Sequence, residues 1–180
     1  MPVQFLRNNV VVRKKGSHEG KYRVQKYEFL AGGRNLKTLY KENGVAVKLD
    51  ISKVYFTPRL STDRKIVAEE TKQGESVLVM FSGVGIYCFV IAKHSKAKEV
   101  YGIEINPYAC KYAEESFKIN KLKNVRLFCG DVKKVLPKLN KKFDRILMPL
   151  PKDSVKFLDL ALKYIKKNGI IHFYFFSNEE

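Results

Sequence analysis

The sequence predicts an α/β protein built on a parallel sheet, and three observations carry that reading. From Thr62 onward, apolar runs of strand length alternate with stretches of helical periodicity. Repeated βα units of this kind give a parallel sheet with helices on both faces. The run Val77-Leu-Val-Met-Phe81 is apolar throughout, as a strand covered on both sides must be, and it leads to Gly83 and Gly85. The next apolar run, Val100-Tyr-Gly-Ile103, ends at Glu104, about 20 residues past the first glycine, where nucleotide-binding βαβ units place an acid.

The elements follow in order. Val10–Arg13, Tyr22–Val24 and Val45–Leu49 alternate as strands do between charged or glycine-bearing turns. Asn43-Gly44, between Thr38–Tyr40 and Val45–Leu49, predicts a tight hairpin because both residues tolerate positive φ. Residues 1–56 are therefore read as a small β-rich lobe and residues 57–180 as the main domain. The lobe carries Arg7, Arg13, Lys14, Lys15, Lys21, Arg23, Lys26, Arg34 and Lys37, a cationic set suited to an RNA backbone. A helix is expected over Asp63–Thr71, with Ser61 and Thr62 as N-caps. Strand Ser76–Phe81, helix Gly85–His94 and strand Glu99–Glu104 come next. Asn106-Pro107 supplies a cap and a proline at the first helical position for helix Pro107–Asn120. Strand Val125–Cys129, a short helix Val132–Leu139 and strand Phe143–Met148 follow. The apolar face Phe157, Leu158, Ala161, Leu162 and Ile165 predicts a helix over Ser154–Lys167, stopped by Gly169, and Ile170–Phe176 reads as the fifth strand.

The 35 Lys and Arg against 18 acids leave a net charge of +17. Such an excess attracts polyanions, and the expected partner is a nucleic acid. Three cysteines, Cys88, Cys110 and Cys129, show no C-x-x-C spacing, so a disulfide is not expected and a reducing cytoplasm is. His18, His94 and His172 have no metal-ligand spacing, and no metal is expected. No stretch has the length and apolarity of a signal peptide or a membrane span.

The glycine turn also restricts the cofactor. A dinucleotide fingerprint requires G-x-G-x-x-G, and here Cys88 stands in the third glycine position. No Gly-Lys-Ser/Thr follows, which removes a P-loop. S-adenosylmethionine has no phosphates and needs only the shorter turn and a ribose acid. It is the expected cofactor; a nicotinamide or flavin cofactor and a purely structural turn are the alternatives.

Four segments add a resemblance. Tyr40-Lys-Glu-Asn-Gly44, Lys53-Val-Tyr-Phe-Thr-Pro-Arg-Leu-Ser-Thr-Asp-Arg64, Met80-Phe-Ser-Gly-Val-Gly85 and Met148-Pro-Leu-Pro-Lys152 together resemble archaeal and eukaryotic tRNA (guanine37-N1)-methyltransferases. They resemble equally the related aminocarboxypropyl transferases of wybutosine synthesis. The resemblance implies a class I methyltransferase (Rossmann-like) sheet, tRNA as partner and S-adenosylmethionine as cofactor. It implies that Arg59 and Asp63 are catalytic, Asp63 as the base for guanine N1 and Arg59 against charge on O6. It places Phe81, Gly83, Gly85, Glu104, Asp131 and Pro149 at the cofactor, and Tyr55, Arg64, Leu150 and Pro151 at the substrate, with Arg64 meeting a phosphate. The family usually carries Glu at the position of Asp63, Asn at Pro149 and an acid at Val79.

The methyltransferase form of this fold continues for two strands past the fifth, whereas Glu180 ends this chain just beyond Ile170–Phe176. A sheet truncated after the fifth strand is expected, its hydrophobic edge available for self-association or a partner chain. The family's N-terminal tRNA-elbow domain is likewise expected to be missing. Two rival functions stand beside N1 methylation: aminocarboxypropyl transfer from the same cofactor, and a non-catalytic RNA-binding subunit with a degenerate transferase fold.

Overall fold

Val77 and Val79 project into one apolar cluster while Leu78 and Met80 project into another, and all four are 0–1% exposed. That alternation places this strand at the centre of a sheet covered on both faces. In the computed structural model, which describes residues 10–150 and 154–175, the elements run as follows. Strands β1 (Val10–Glu19), β2 (Val24–Gly32), β3 (Lys37–Glu42) and β4 (Val45–Asp50) precede α1 (Ser61–Glu70). Then come β5 (Ser76–Val79), α2 (Ile86–His94), β6 (Glu99–Glu104), α3 (Pro107–Asn120) and β7 (Val125–Cys129). The chain continues through α4 (Val132–Val135), β8 (Phe143–Met148), α5 (Leu158–Tyr164) and β9 (Ile165–Phe173). The sheet is parallel in the order β7-β6-β5-β8-β9, as expected. The chain winds one way from β5 and then the other from β8, and the carboxyl ends at that reversal form the crevice where open α/β sheets bind ligands.

The hairpin at Asn43-Gly44 forms with both residues at positive φ, 44° and 66°, joining Glu42 to Val45 across a two-residue turn. Its placement corrects the expected lobe. Val45, Val47 and Leu49 are buried in the same cluster as Val77 and Val79. The Asn120 side chain accepts from the Ala46 N–H at 2.9 Å and donates to its carbonyl at 2.7 Å, and Ser116 Oγ accepts from the Lys48 N–H. Side chains of α3 thus occupy a free edge of the hairpin. Lys93 donates to the Gly44 carbonyl at 2.6 Å, tying the turn to the end of α2. Only the β1–β2 hairpin stands as a separate unit within residues 10–56; β3–β4 is part of the main core.

Three further expectations are corrected. A 3-10 turn over Pro58–Leu60, capped by Thr57 Oγ1, runs straight into α1, so Ser61 and Thr62 lie inside the helix rather than capping it. The last helix ends at Tyr164 rather than Lys167, because Ile165 already pairs with Phe143. The strand then bulges through Asn168, at φ 62°, and pairing resumes with Ile170 opposite Arg145. Phe176 lies outside the described residues; β9 occupies one edge of the five-stranded sheet. Cys110 on α3 and Cys129 at the end of β7 form a disulfide, with Cα atoms 5.6 Å apart. That separation lies within the range a disulfide spans. Among the described residues no helix is long and apolar enough to cross a membrane.

The hairpin and α1 are joined by a buried ion pair. Arg64 Nε lies 2.5 Å from Glu42 Oε1 and Nη2 lies 2.7 Å from Oε2, with side chains 2% and 4% exposed. Tyr40 donates to Glu42, and Arg64 also donates to the Thr57 carbonyl. Removing one partner strands a charge out of water, so Glu42→Ala should cost about 3–5 kcal/mol in urea unfolding. Replacing Glu42 and Arg64 together with Leu and Met should cost far less, and equal losses would show that the pair is not the source.

Candidate active site

The turn after β5 sets the floor of the site. Gly83 and Gly85 adopt φ 55° and 84°. A Cβ on Gly83 would meet nothing within 4 Å, whereas one on Gly85 would press on the Phe89 ring at 2.7 Å. Gly83 is therefore open toward the crevice, and Gly85 is required by its own helix. Glu104, at the carboxyl end of β6, accepts from the Gly83 N–H at 2.8 Å through Oε2 and from the Asn106 N–H at 2.7 Å through Oε1. Burial pushes the Glu104 carboxyl up from its ordinary pKa, and the two N–H donors oppose that shift. Each oxygen retains a lone pair for a ribose hydroxyl.

A cavity of about 720 Å³ lies over this turn. It brings together Phe81, Gly83, Glu104, Asp131, Pro149 and Leu150 from the expected site, with Tyr55 at its border. Phe81 packs edge-to-face on Phe157, ring centroids 4.9 Å apart. Asp131 caps α4 through Oδ1, which accepts from the Lys133 N–H at 2.9 Å. The Pro149-Leu150 segment is held by buried Ser154, whose hydroxyl contacts the Leu150 carbonyl at 2.6 Å and the Met148 carbonyl at 3.1 Å. Pro151 lies outside the described residues. Val79, where the resemblance implies an acid, is fully buried in the core and presents no polar group to the cavity.

The remaining expected residues Arg59, Asp63, Arg64 and Gly85 do not line the cavity. Asp63 is half-buried, and its Oδ2 accepts from the Tyr87 hydroxyl at 2.6 Å and the Tyr174 hydroxyl at 2.7 Å. Arg59 is exposed on the 3-10 turn and does not line the cavity. Arg64 is the clear correction: expected to meet a phosphate, it is buried against Glu42 and has no reach to solvent.

Sequence reasoning missed the roof. Ser17, His18, Gly20, Lys21, Tyr22 and Arg23, around the tip of the β1–β2 hairpin, line the same cavity as Glu104 and Pro149. Arg23 places its guanidinium 5.9 Å from the centre of the Tyr55 ring, and His18 meets that ring edge-on at 5.0 Å. Burial, then Lys14 and Arg23, lower the His18 pKa. Arg23 was visible only as one cation among many, because its placement depends on the hairpin folding back over the sheet.

A five-stranded parallel sheet with a glycine turn and an acid at the end of the next strand defines a nucleotide-cofactor-binding α/β domain. The description TRM5/TYW2 methyltransferase domain matches residues 38–180, and the chain belongs to that family. It is 42% identical over 178 residues to the tRNA (guanine(37)-N(1))-methyltransferase Trm5b of Pyrococcus abyssi, covering 98% of this chain and 52% of that protein. It is 36% identical over 155 residues to the tRNA(Phe) (4-demethylwyosine(37)-C(7)) aminocarboxypropyltransferase of Methanocaldococcus jannaschii, covering 86% and 61%. Among solved structures, aTrm5 in its complex with tRNALeu superposes with a TM-score of 0.86 at 36% identity, covering 93% of this chain and 48% of that one. The chain spans about half the length of the Trm5b relatives it matches.

The two glycines should respond differently to substitution. Gly83→Ala should cost about 1–2 kcal/mol, the penalty of a left-handed side chain, and Gly85→Ala should cost more because of Phe89. Urea unfolding of the two variants measures the order, and a smaller loss at Gly85 would refute it.

Proposed function

We propose that this chain transfers the methyl group of S-adenosylmethionine to N1 of guanine 37 in tRNA, in the cytoplasm. The observation that carries the reading is the shared cavity. The glycine turn, Glu104 and Asp131 on one side and the cationic, aromatic roof of Tyr55, His18 and Arg23 on the other enclose one space. One wall suits an adenosine and the other a nucleobase entering beside it. The relatives named for guanine-37 methylation, and the family that residues 38–180 match, support the same assignment.

Bound S-adenosylmethionine would supply an electrophilic methyl on a sulfonium. The chain's own residues do the rest. Glu104 would accept from the ribose, Asp131 would keep Oδ2 for the adenine amino group, and Gly83 would give room for the methionine portion. Guanine N1 bears a proton that must leave as the N–C bond forms, and Asp63 takes it. Charge spreading to O6 needs a cation. The family resemblance assigns Arg59 to O6, and the cavity offers Arg23, which is already within reach of Tyr55.

Aminocarboxypropyl transfer is the second reading, favoured by the 36% identity to an enzyme named for it. Nucleoside mass spectrometry of a tRNA transcript with G37, incubated with this chain and S-adenosylmethionine, separates the readings. One methyl on guanosine supports the proposal. An aminocarboxypropyl adduct on a tRNA bearing the tricyclic base supports the second, and no adduct on either despite RNA binding supports a non-catalytic subunit.

Glu104→Ala should weaken S-adenosylmethionine binding in calorimetry by about 1–3 kcal/mol, the worth of hydrogen bonds to a charged acceptor; unchanged affinity removes Glu104 from the site. For the O6 cation, Arg23→Ala should slow methyl transfer about 10²–10³-fold and Arg59→Ala less. The reverse order in single-turnover rates would return the role to Arg59.

A further inference from the structure

Asp63 does not itself line the cavity, and it is held by contacts that the proposed proton transfer does not use. Two phenols converge on one of its oxygens, Tyr87 at 2.6 Å and Tyr174 at 2.7 Å, both on Oδ2. These lengths fall in the range of O–H···O⁻ bonds to an ionised acceptor. The rings sit edge-to-face with centroids 6.2 Å apart, which brings the hydroxyls to 3.4 Å from each other. Tyr87 is 4% exposed, and filling that volume alone needs only a phenylalanine. Its hydroxyl adds a polar group that burial would penalise without a partner, and that partner is Asp63.

The two tyrosines also come from the elements that shape the site. Tyr87 lies in the first turn of α2, two residues after Gly85. Tyr174 directly follows β9, whose Phe173 pairs with Met148, the residue before Pro149 and Leu150. On its other face Tyr87 carries the Arg64 guanidinium, 5.5 Å from the ring centre, and Arg64 is itself held by Glu42 and the Thr57 carbonyl. The cofactor turn, the Pro149 segment and the hairpin therefore all bear on the position of a single carboxylate. Both phenols stay protonated donors through the working pH range. Burial foremost pushes Tyr87 and Tyr174 well above the ordinary tyrosine pKa, and Asp63 pushes both further the same way.

We propose that Tyr87 and Tyr174 are positioning residues for Asp63, clamping Oδ2 so that Oδ1 is presented to the proton on the target base. The inference rests on Asp63 being the base in the proposed function. The clamp answers a specific need, since an aspartate has a short reach and a χ1 torsion free to turn unless something holds it. A short acid that swings freely would spend most of its time out of reach of the nucleobase, and misplacement of about 1 Å can cost 10²-fold in rate.

The test uses Tyr87→Phe, Tyr174→Phe and the double variant, each in the parent chain and in Asp63→Asn, with the G37 transcript. Each single variant should lower kcat about 10-fold and the pair about 100-fold, with KM for tRNA and the cofactor Kd unchanged. In the Asp63→Asn chain the same substitutions should change the residual rate less than about twofold, because groups acting through one another are not additive. A role in packing alone would lower Tm and act equally in both backgrounds, and that result, or an unchanged kcat in Tyr174→Phe, overturns the inference. A second readout needs no turnover. Side-chain couplings of Asp63 by NMR should report one χ1 rotamer in the parent chain and averaging in the double variant. A single rotamer in both overturns the clamp even if no methyl transfer is detected. Absence of methyl transfer with averaging in the double variant would instead sink the proposed reaction and leave the clamp standing.

Discussion

Burial of β5 on both faces is the constraint on which the rest of the molecule depends. Its side chains are divided between two apolar clusters, so helices must cover each side and neighbouring strands must pair along both edges. Once β6 and β8 are fixed there by parallel pairing, the loops after β5, β6 and β8 emerge together. The glycine turn, Glu104 and Pro149 become neighbours because the strands that carry them end side by side, and the Gly83 N–H bond to Glu104 then fixes the first two together. The site follows from where a hydrophobic strand has to end.

Glu104 draws N–H groups from the turn after β5 and from the start of α3, so the acid braces the loops it sits between. Arg64 and Glu42 do the same for α1 and the second hairpin. The Arg64–Glu42 charges are kept out of water only because rigid donors and acceptors meet them. Rigidity of this kind would suit the two-reactant site of the proposed function.

Most of the sheet was legible because its signals are local. The apolar runs at Glu99–Glu104, Val125–Cys129 and Phe143–Met148 and the Asn106-Pro107 helix start appear as strands and a helix with the expected bounds. What failed depended on contacts distant in sequence. Ile165 continues the apolar spacing of a helix, and only its pairing with Phe143 makes it strand. Arg64 reads as a free cation until Glu42, 22 residues earlier, is seen against it. Cys110 and Cys129 are unremarkable in the sequence and become partners because α3 packs beside β7. Arg23 joined the site only because the first hairpin folds over a cavity built from Tyr55 and residues from Met80 onward.

The Cys110–Cys129 bridge has a consequence for how the molecule breathes. Strand β7 lies at one edge of the sheet, paired on one side by β6, and edge strands are ordinarily among the first to open. The bridge ties the end of this strand to α3, the same helix that clasps the second hairpin through Asn120 and Ser116. Edge strand, helix and hairpin are thereby tied to one another through α3, by a covalent link on one side and hydrogen bonds on the other. The cavity-lining loop at Gly130-Asp131 starts at that bridge, so the residue it departs from, Cys129, is anchored covalently to α3.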